Sequence, residues 1–372
     1  MPTNFMFDEL STTERLLPGL DKQLREIGTA ELERAGSPGL GIFREHSGPG
    51  LVVPTELGGL GASLVEALQV QRVLGARSAS LSIAVTMHVC TVLAMPPCPA
   101  TDELLGAVAA ARLYVASGFG EGKPGGSVLA PAMKGERIEG GWRLNGAKKP
   151  CSISESMDFL TASVMLSTEA EGAQMALAII PADTPGISVK PFRESTVLPA
   201  SETNAVVLTD VDVPDDYISF FGDPQSLNAA LATAFHTFEL VASAGYIGVA
   251  SGLVEKVIEQ RRGTAAERIA LVGELETAMA AVESVARGVT LGEDEDPQGV
   301  ARALYVRYSV QRTIEQVAAH ATELLGGMAY IGTGESAAQY AAVRALAFHP
   351  PARTVMAEPL DRFILGEPLI IP

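Results

Sequence analysis

Cysteine is scarce. Cys90, Cys98 and Cys151 are the three thiols of a 372-residue chain, and none belongs to a C-x-x-C pair. That spacing supports neither a zinc site nor dithiol redox chemistry. An odd, sparse count fits a reducing cytoplasm, where the chain is expected to work. Basic residues are also short, 27 Lys and Arg against 44 Asp and Glu, for a formal net charge of −17. So acidic a surface repels phosphate backbones and anionic lipid, so neither nucleic acid nor a membrane surface is an expected partner. No charged-then-apolar leader is visible, because Met1 to Leu20 is mixed and acidic. The most apolar stretch, Leu81 to Met95, contains His88 and stops at Pro96-Pro97. It is too short to span a bilayer and reads as a core helix.

What the chain does have is apolar mass. Hydrophobic residues make up 47% and charged residues 19%, enough burial to offset ordering entropy over two or three packed regions. Texture changes twice. Residues 1–112 read as helical, with apolar side chains at helical spacing over Leu64 to Leu74. Residues 113–223 break into short runs bounded by Gly, Pro, Asp and Asn. There Gly140-Gly141 and Asn145-Gly146 are hairpin-type turn signals on either side of Trp142-Arg143-Leu144. Residues 224–372 turn helical again, in three long Ala-rich segments, Ala229 to Arg261, Ala265 to Val289 and Val300 to Leu325. Helices, then strands, then helices predict an α+β fold rather than alternating βαβ units.

Five segments in this order resemble the acyl-CoA dehydrogenase family. They are Leu51 to Gly61 (L-V-V-P-T-E-L-G-G-L-G), Tyr114 to Ser117 followed by Gly126-Ser127, Asn145 to Ser152 (N-G-A-K-K-P-C-S), Ser201 to Thr203 with Val211 to Pro214, and Leu325 to Tyr330 (L-G-G-M-A-Y). The resemblance spans essentially the whole chain. It implies an N-terminal helical domain, a middle β-barrel-like domain, a C-terminal four-helix bundle and bound FAD. It also implies a homodimer or homotetramer, and an acyl thioester substrate on CoA or a carrier protein.

The same resemblance assigns residues. Ser117 takes the place of a threonine that hydrogen-bonds the flavin ring, and Ser152 that of the threonine beside N5. Ser127, after a Gly-rich loop that departs from the family pattern, faces substrate. Arg262 would reach the pyrophosphate of FAD in a neighbouring subunit, although the aromatic-glycine pair and the glutamine that should follow are Ala265, Ala266 and Gly273. Gly326 and Gly327 would admit the adenine end. Thr354 takes the threonine of the late E-G-T motif and is assigned to the cofactor.

That motif's glutamate is missing. Its position falls on Ala352 or Arg353, and neither can take a proton from carbon. Some relatives carry the base on the first long C-terminal helix. Ungapped, Phe238 takes that place and Glu239 is its neighbour. Glu239 is the only carboxylate between Asp223 and Glu255. A lone buried glutamate has a raised pKa, which suits a general base; the alternative is a structural ion pair with an arginine. His236, one turn earlier on the same face, would assist at the substrate or sit satisfied in the core. His349, held on an extended path by Pro350-Pro351, is a second candidate for the lost base.

Three functions follow. The expected one is α,β-dehydrogenation of an acyl thioester with Glu239 as base, on a specialised substrate. A flavin monooxygenase on the same fold needs no such base. A non-catalytic relative without flavin is the third.

Overall fold

The computed structural model describes residues 4–95, 99–122, 131–168, 172–192, 196–222, 229–292, 296–332 and 334–372. The helices α1 (Phe7–Leu16), α2 (Leu20–Ile27), α3 (Thr29–Leu32), α4 (Gly39–Glu45), α5 (Leu64–Arg77), α6 (Ala79–Leu93) and α7 (Pro99–Ala111) come first. The start of α5 is fixed by a capping box: the Ser63 hydroxyl accepts from Glu66 N–H while the Glu66 carboxylate accepts from Ser63 N–H. Ser78 caps α6 with a single bond, its hydroxyl accepting from Leu81 N–H.

The centre of the molecule is α8 (Ala229–Glu259), followed by α9 (Ala265–Thr290) and α10 (Pro297–Leu325). Short helices α11 (Gly327–Ile331), α12 (Glu335–Val343) and α13 (Arg353–Ile364) close the chain. The expected four-helix bundle is thus three long helices completed by short pieces. Its principal neighbour is α5, because glycines bring α5 and α8 into backbone contact. A methyl on Gly248 would lie 2.2 Å from the Arg72 carbonyl oxygen, and one on Gly75 would lie 2.1 Å from that of Gly245. Only glycine permits so close an approach. One continuous core runs from Leu20 and Leu68 through Tyr246 and Leu253 to Leu275 and Val317, so the first and last helices bury a common face. The segment Leu231–Glu259 is long and apolar enough to cross a membrane, yet 94% of its apolar window is buried inside the protein. That is how a core helix looks.

Between the helices lie β1 (Val115–Gly118), β2 (Gly135–Ile138), β3 (Gly141–Cys151), β4 (Phe159–Thr168), β5 (Gly172–Pro181), β6 (Ile187–Lys190), β7 (Asn204–Pro214) and β8 (Ile218–Gly222). They form two four-stranded sheets, ordered β1-β4-β5-β8 and β2-β3-β7-β6. Trp142, Leu144, Leu160, Val164, Val206 and Val213 fill the space between them. The expected barrel is therefore two stacked sheets. Isolated bridges at Glu121/Lys149 and Lys134/Met165 stitch them together instead of a continuous ladder. Gly140 does turn the chain from β2 into β3. Asn145-Gly146 does not turn it: these residues sit inside β3 at a register shift, where Asn145 exchanges side-chain hydrogen bonds with Asp210 of β7. An Asn-Gly pair serves a bulge as well as a hairpin, because both need unusual backbone angles. Ser201 to Thr203 lie in a turn just before β7, not in a strand of their own.

Candidate active site

The β-sheets meet the central helix along a cleft of about 450 Å³, within the range of small-molecule sites. Its residues arrive from four directions. The end of β1 supplies Ser117, and the turn after β3 supplies Ser152. Helix α6 supplies Met87 and Thr91, α8 supplies Phe235 and Phe238, and the chain before α13 supplies His349 and Pro350. Ser117 is placed by the parallel register of β1 on β4, opposite Thr161. Leu177, Phe221 and Leu231 make one end apolar.

The polar wall has a direction. Ser201 Oγ lies 2.8 Å from the Leu198 carbonyl oxygen, which only accepts, so Ser201 donates there. Thr203 Oγ1, 2.8 Å from Ser201 Oγ, must then donate to Ser201. Ser152 Oγ, 2.8 Å from Thr203 Oγ1, must donate to Thr203. Each hydroxyl has one hydrogen, so the chain of three ends on Ser152 with lone pairs alone for anything in the cleft. Ser152 is an acceptor for a ligand N–H.

His349 forms the opposite wall. Its Nε2 lies 2.8 Å from the Tyr246 hydroxyl, and its ring stands at 64° to Phe238 with centroids 5.9 Å apart. Burial, aided by the Arg307 charge, lowers its pKa to about 4, so the imidazole is neutral. His349 is half-buried and lines the cleft. The loop carrying it is clamped by Arg307 of α10, which donates to the carbonyls of Pro351 (3.2 Å), Leu346 (3.1 Å) and His349 (2.6 Å). Tyr308 adds a hydrogen bond of 2.9 Å to Pro351 O. Burial also raises the Cys90 thiol to about 12, so this cleft-lining cysteine is un-ionised.

Glu239 is elsewhere. It does not line the cleft; its carboxylate lies 2.7 Å from Arg307 Nη1, and both side chains are 1% exposed. The contact is an ion pair by distance and not an aligned hydrogen bond, since neither carboxylate oxygen has a hydrogen-bond partner among the described residues. Burial pushes Glu239 up to about 7 against the pull of Arg307. The raised pKa anticipated from the sequence is there, but the carboxyl faces an arginine rather than a substrate space. The structural ion pair is the arrangement found.

Of the other expected site residues, Ser117 and Ser152 are brought together in the cleft. His236 is buried on α8 away from its lining. Arg262 is exposed between α8 and α9, its Nε 3.4 Å from Gln260 Oε1. Gly326 ends α10 with φ 85°, and Gly327 opens α11. Thr354 is exposed in the first turn of α13. None of these five borders the cleft of its own chain. Ser127 lies outside the described residues. Sequence reasoning missed Thr203, Tyr246 and Arg307. A tyrosine inside the apolar run of α8 was the available signal for Tyr246, because such a group is seldom buried without a task, whereas Arg307 is one of several arginines on the mixed helix α10.

A narrow, largely apolar slot with a neutral imidazole and an acceptor hydroxyl suits the ring system of a flavin, which has apolar faces and a polar N–H edge.

No protein-family model matches the chain. It is 44% identical over 370 residues, 97% of its length and 98% of the relative's, to isobutylamine N-hydroxylase of Streptomyces viridifaciens. It is 25% identical over 310 residues, 78% of this chain and 73% of the relative, to mitochondrial isovaleryl-CoA dehydrogenase of Arabidopsis thaliana. Its fold matches that of KijD3, solved with FMN and dTDP-3-amino-2,3,6-trideoxy-4-keto-3-methyl-D-glucose, with a TM-score of 0.83 at 20% identity over 97% of this chain and 95% of the other. Identity of this degree along nearly the whole of both chains shows that the protein is an enzyme of the acyl-CoA dehydrogenase-like flavoprotein family, in the divergent branch that contains the N-hydroxylase.

Proposed function

We propose that this enzyme is a flavin-dependent monooxygenase that hydroxylates the nitrogen of a small apolar amine. The observation that carries the reading is the placement of Glu239. Dehydrogenation of a thioester requires a base beside the flavin to take a proton from carbon. No carboxylate is among the described residues that line the cleft, and Glu239 is sealed against Arg307. Ala352 and Arg353 stand outside the cleft as well, so the late motif supplies no base either. The expected acyl-thioester dehydrogenation gives way to oxygenation, in keeping with the 44% relative.

Reduced flavin supplies two electrons to molecular oxygen, so that one oxygen atom reaches nitrogen and the other leaves as water. The residues do the rest. Ser117 and Ser152 would hold the polar edge of the flavin ring, Ser152 by accepting an N–H. Phe235, Phe238 and Leu231 exclude water and receive an apolar chain. The flavin we propose is FMN rather than the FAD implied by the resemblance. A fold relative was solved with FMN, and Ala265, Ala266 and Gly273 leave Arg262 without the companions that would hold an adenylate half.

The test supplies the protein with reduced FMN, oxygen and a short branched alkylamine. An N-alkylhydroxylamine is the expected product. Anaerobic bleaching of the bound flavin by an acyl thioester, with no hydroxylamine from any amine, would restore the dehydrogenase.

A further inference from the structure

The buried Glu239, Arg307 and Tyr246 and the half-buried His349 form one connected device, and the proposed reaction has so far used none of them. Glu239 compensates Arg307 at 2.7 Å. Arg307 ties down the backbone of residues 346, 349 and 351. That backbone presents His349 to the cleft, and Tyr246 on α8 holds its Nε2 at 2.8 Å. Phe238 stands edge-on to the ring, so the imidazole is fixed from two sides. Its Nδ1 makes no hydrogen bond to a described residue.

We propose that His349 is a catalytic residue, its Nδ1 taking the proton that the amine nitrogen sheds once oxygen is attached, and that Arg307 and Glu239 are positioning residues acting through it. The inference rests on the N-hydroxylase reading above.

The step balances as follows. The lone pair of the free amine forms the N–O bond to an oxygen derived from dioxygen, which is reduced by the two electrons of reduced flavin. The nitrogen then carries a positive charge, two hydrogens and the new hydroxyl. One N–H bond breaks, its electron pair stays on nitrogen, and the proton goes to His349 Nδ1. The product is the neutral hydroxylamine. For Nδ1 to accept, Nε2 carries the ring hydrogen and donates it to the Tyr246 oxygen. The same bond survives in the imidazolium, in which both nitrogens donate. Burial and the nearby guanidinium make His349 a weak base. It could not strip an alkylammonium, so the substrate enters as the free base. Oxygen on nitrogen withdraws electrons and makes the hydroxylated cation a far stronger acid, one that a weak base can relieve. The ionisable groups around His349 are Tyr246 and Glu239 of α8 and Arg307 and Tyr308 of α10. Burial raises both phenols, so they stay protonated, which leaves the ion pair as the source of charge.

The experiment compares wild type with His349→Gln, His349→Asn and Glu239→Gln. Denaturant midpoints and FMN titration first establish that each variant is folded and loaded. Both histidine variants should lose hydroxylamine formation by about 10²–10⁴-fold, the usual worth of a general base, and release hydrogen peroxide instead. At pH 8, where Glu239 is ionised in wild type, Glu239→Gln leaves Arg307 uncompensated and should loosen its hold on the backbone that carries His349. The ring nitrogen resonances of His349 in flavin-free protein should then shift at that pH, and kcat should fall while KM holds. A histidine variant that stays coupled within a few-fold overturns the catalytic role. Ring resonances in Glu239→Gln that match wild type overturn the positioning role. Wild type that hydroxylates no amine sinks the underlying reading instead, which separates the two failures.

Discussion

Phe238 and Glu239 are successive residues of α8, yet Phe238 borders the cleft while the Glu239 carboxylate lies 2.7 Å from Arg307 Nη1 outside it. A turn of about 100° along the helix thus separates a wall of the site from a buried ion pair. Removing one partner of such a pair strands a charge and costs about 3–5 kcal/mol, whereas replacing both by apolar groups costs far less. Arg307→Met should therefore lower stability by about that amount, and Arg307→Met with Glu239→Leu should recover part of it. Urea unfolding measures both. A double variant as unstable as the sum of the singles would mean that the carbonyl clamp, and not the charge, dominates.

The hydroxyl chain yields a second expectation. Ser152→Ala deletes the acceptor that faces the cleft and should weaken FMN binding by about 1 kcal/mol, roughly five-fold, the net worth of one hydrogen bond. Ser201→Ala leaves Thr203 without its acceptor, frees it to donate to Ser152, and so reverses the polarity at Ser152. It should weaken binding as well, although Ser201 is itself 1% exposed. Fluorescence titration reads both. Unchanged affinity in Ser152→Ala would remove this residue from the cofactor site.

The helix–strand–helix order was legible because each segment carries its own period, and α5, α6 and α8 follow the apolar spacing of Leu64 to Leu74, Leu81 to Met95 and Ala229 to Arg261. Ser117 and Ser152 were singled out by the family resemblance, and the structure places both in the cleft. The direction of Glu239 was not legible, because on an all-apolar helix no polar face marks which side meets the site. Nor was the Arg307 clamp, whose partners lie about forty residues away in sequence and are backbone carbonyls, which leave no trace in side-chain identity. Asn145-Gly146 misled for a related reason: the same dipeptide fits a turn or a bulge, and the pairing with Asp210 decides.

Gly248 gives a stability test of the fold's centre. Its added methyl would sit 2.2 Å from a backbone oxygen, which cannot rotate aside. Gly248→Ala should thus push α5 and α8 apart and destabilise by about 1–3 kcal/mol, although alanine is the better helix former by nearly 1 kcal/mol. A thermal scan in which Gly248→Ala melts with wild type would mean that the helices separate freely.

The C-terminal elements expose more apolar surface than a monomer needs. Met328, Ile331, Phe348, Ile364 and Leu365 are all exposed, and an acidic chain has no other evident use for them. We expect self-association, as a homodimer or homotetramer. Light scattering should give a multiple of 38.8 kDa, and Ile364→Glu with Leu365→Glu should reduce it. A monomer mass for wild type contradicts this.

Acid should unfold the protein through His88. Its Nε2 lies 2.8 Å from the Pro49 carbonyl and its Nδ1 3.0 Å from Val115 N, so the ring donates at one nitrogen and accepts at the other. Only the neutral tautomer does both, and a second ring hydrogen would meet the Val115 N–H. Burial lowers the pKa from 6.5 to about 4. The folded value is the lower one, so between these limits the unfolded chain binds the extra proton. His88 therefore contributes its full stability above pH 6.5, and that contribution is lost as pH falls toward 4. The shift corresponds to roughly 3 kcal/mol. Glu239 has the opposite sign: its folded pKa is raised to about 7, so acidification between 7 and 4.5 favours the folded state through that residue. Wild-type curves mix the two effects, and a difference isolates His88. In His88→Gln, which carries no titrating ring, the urea midpoint should fall less between pH 7 and pH 5 than in wild type. Parallel curves for the two proteins would show that His88 is not the group that acid attacks.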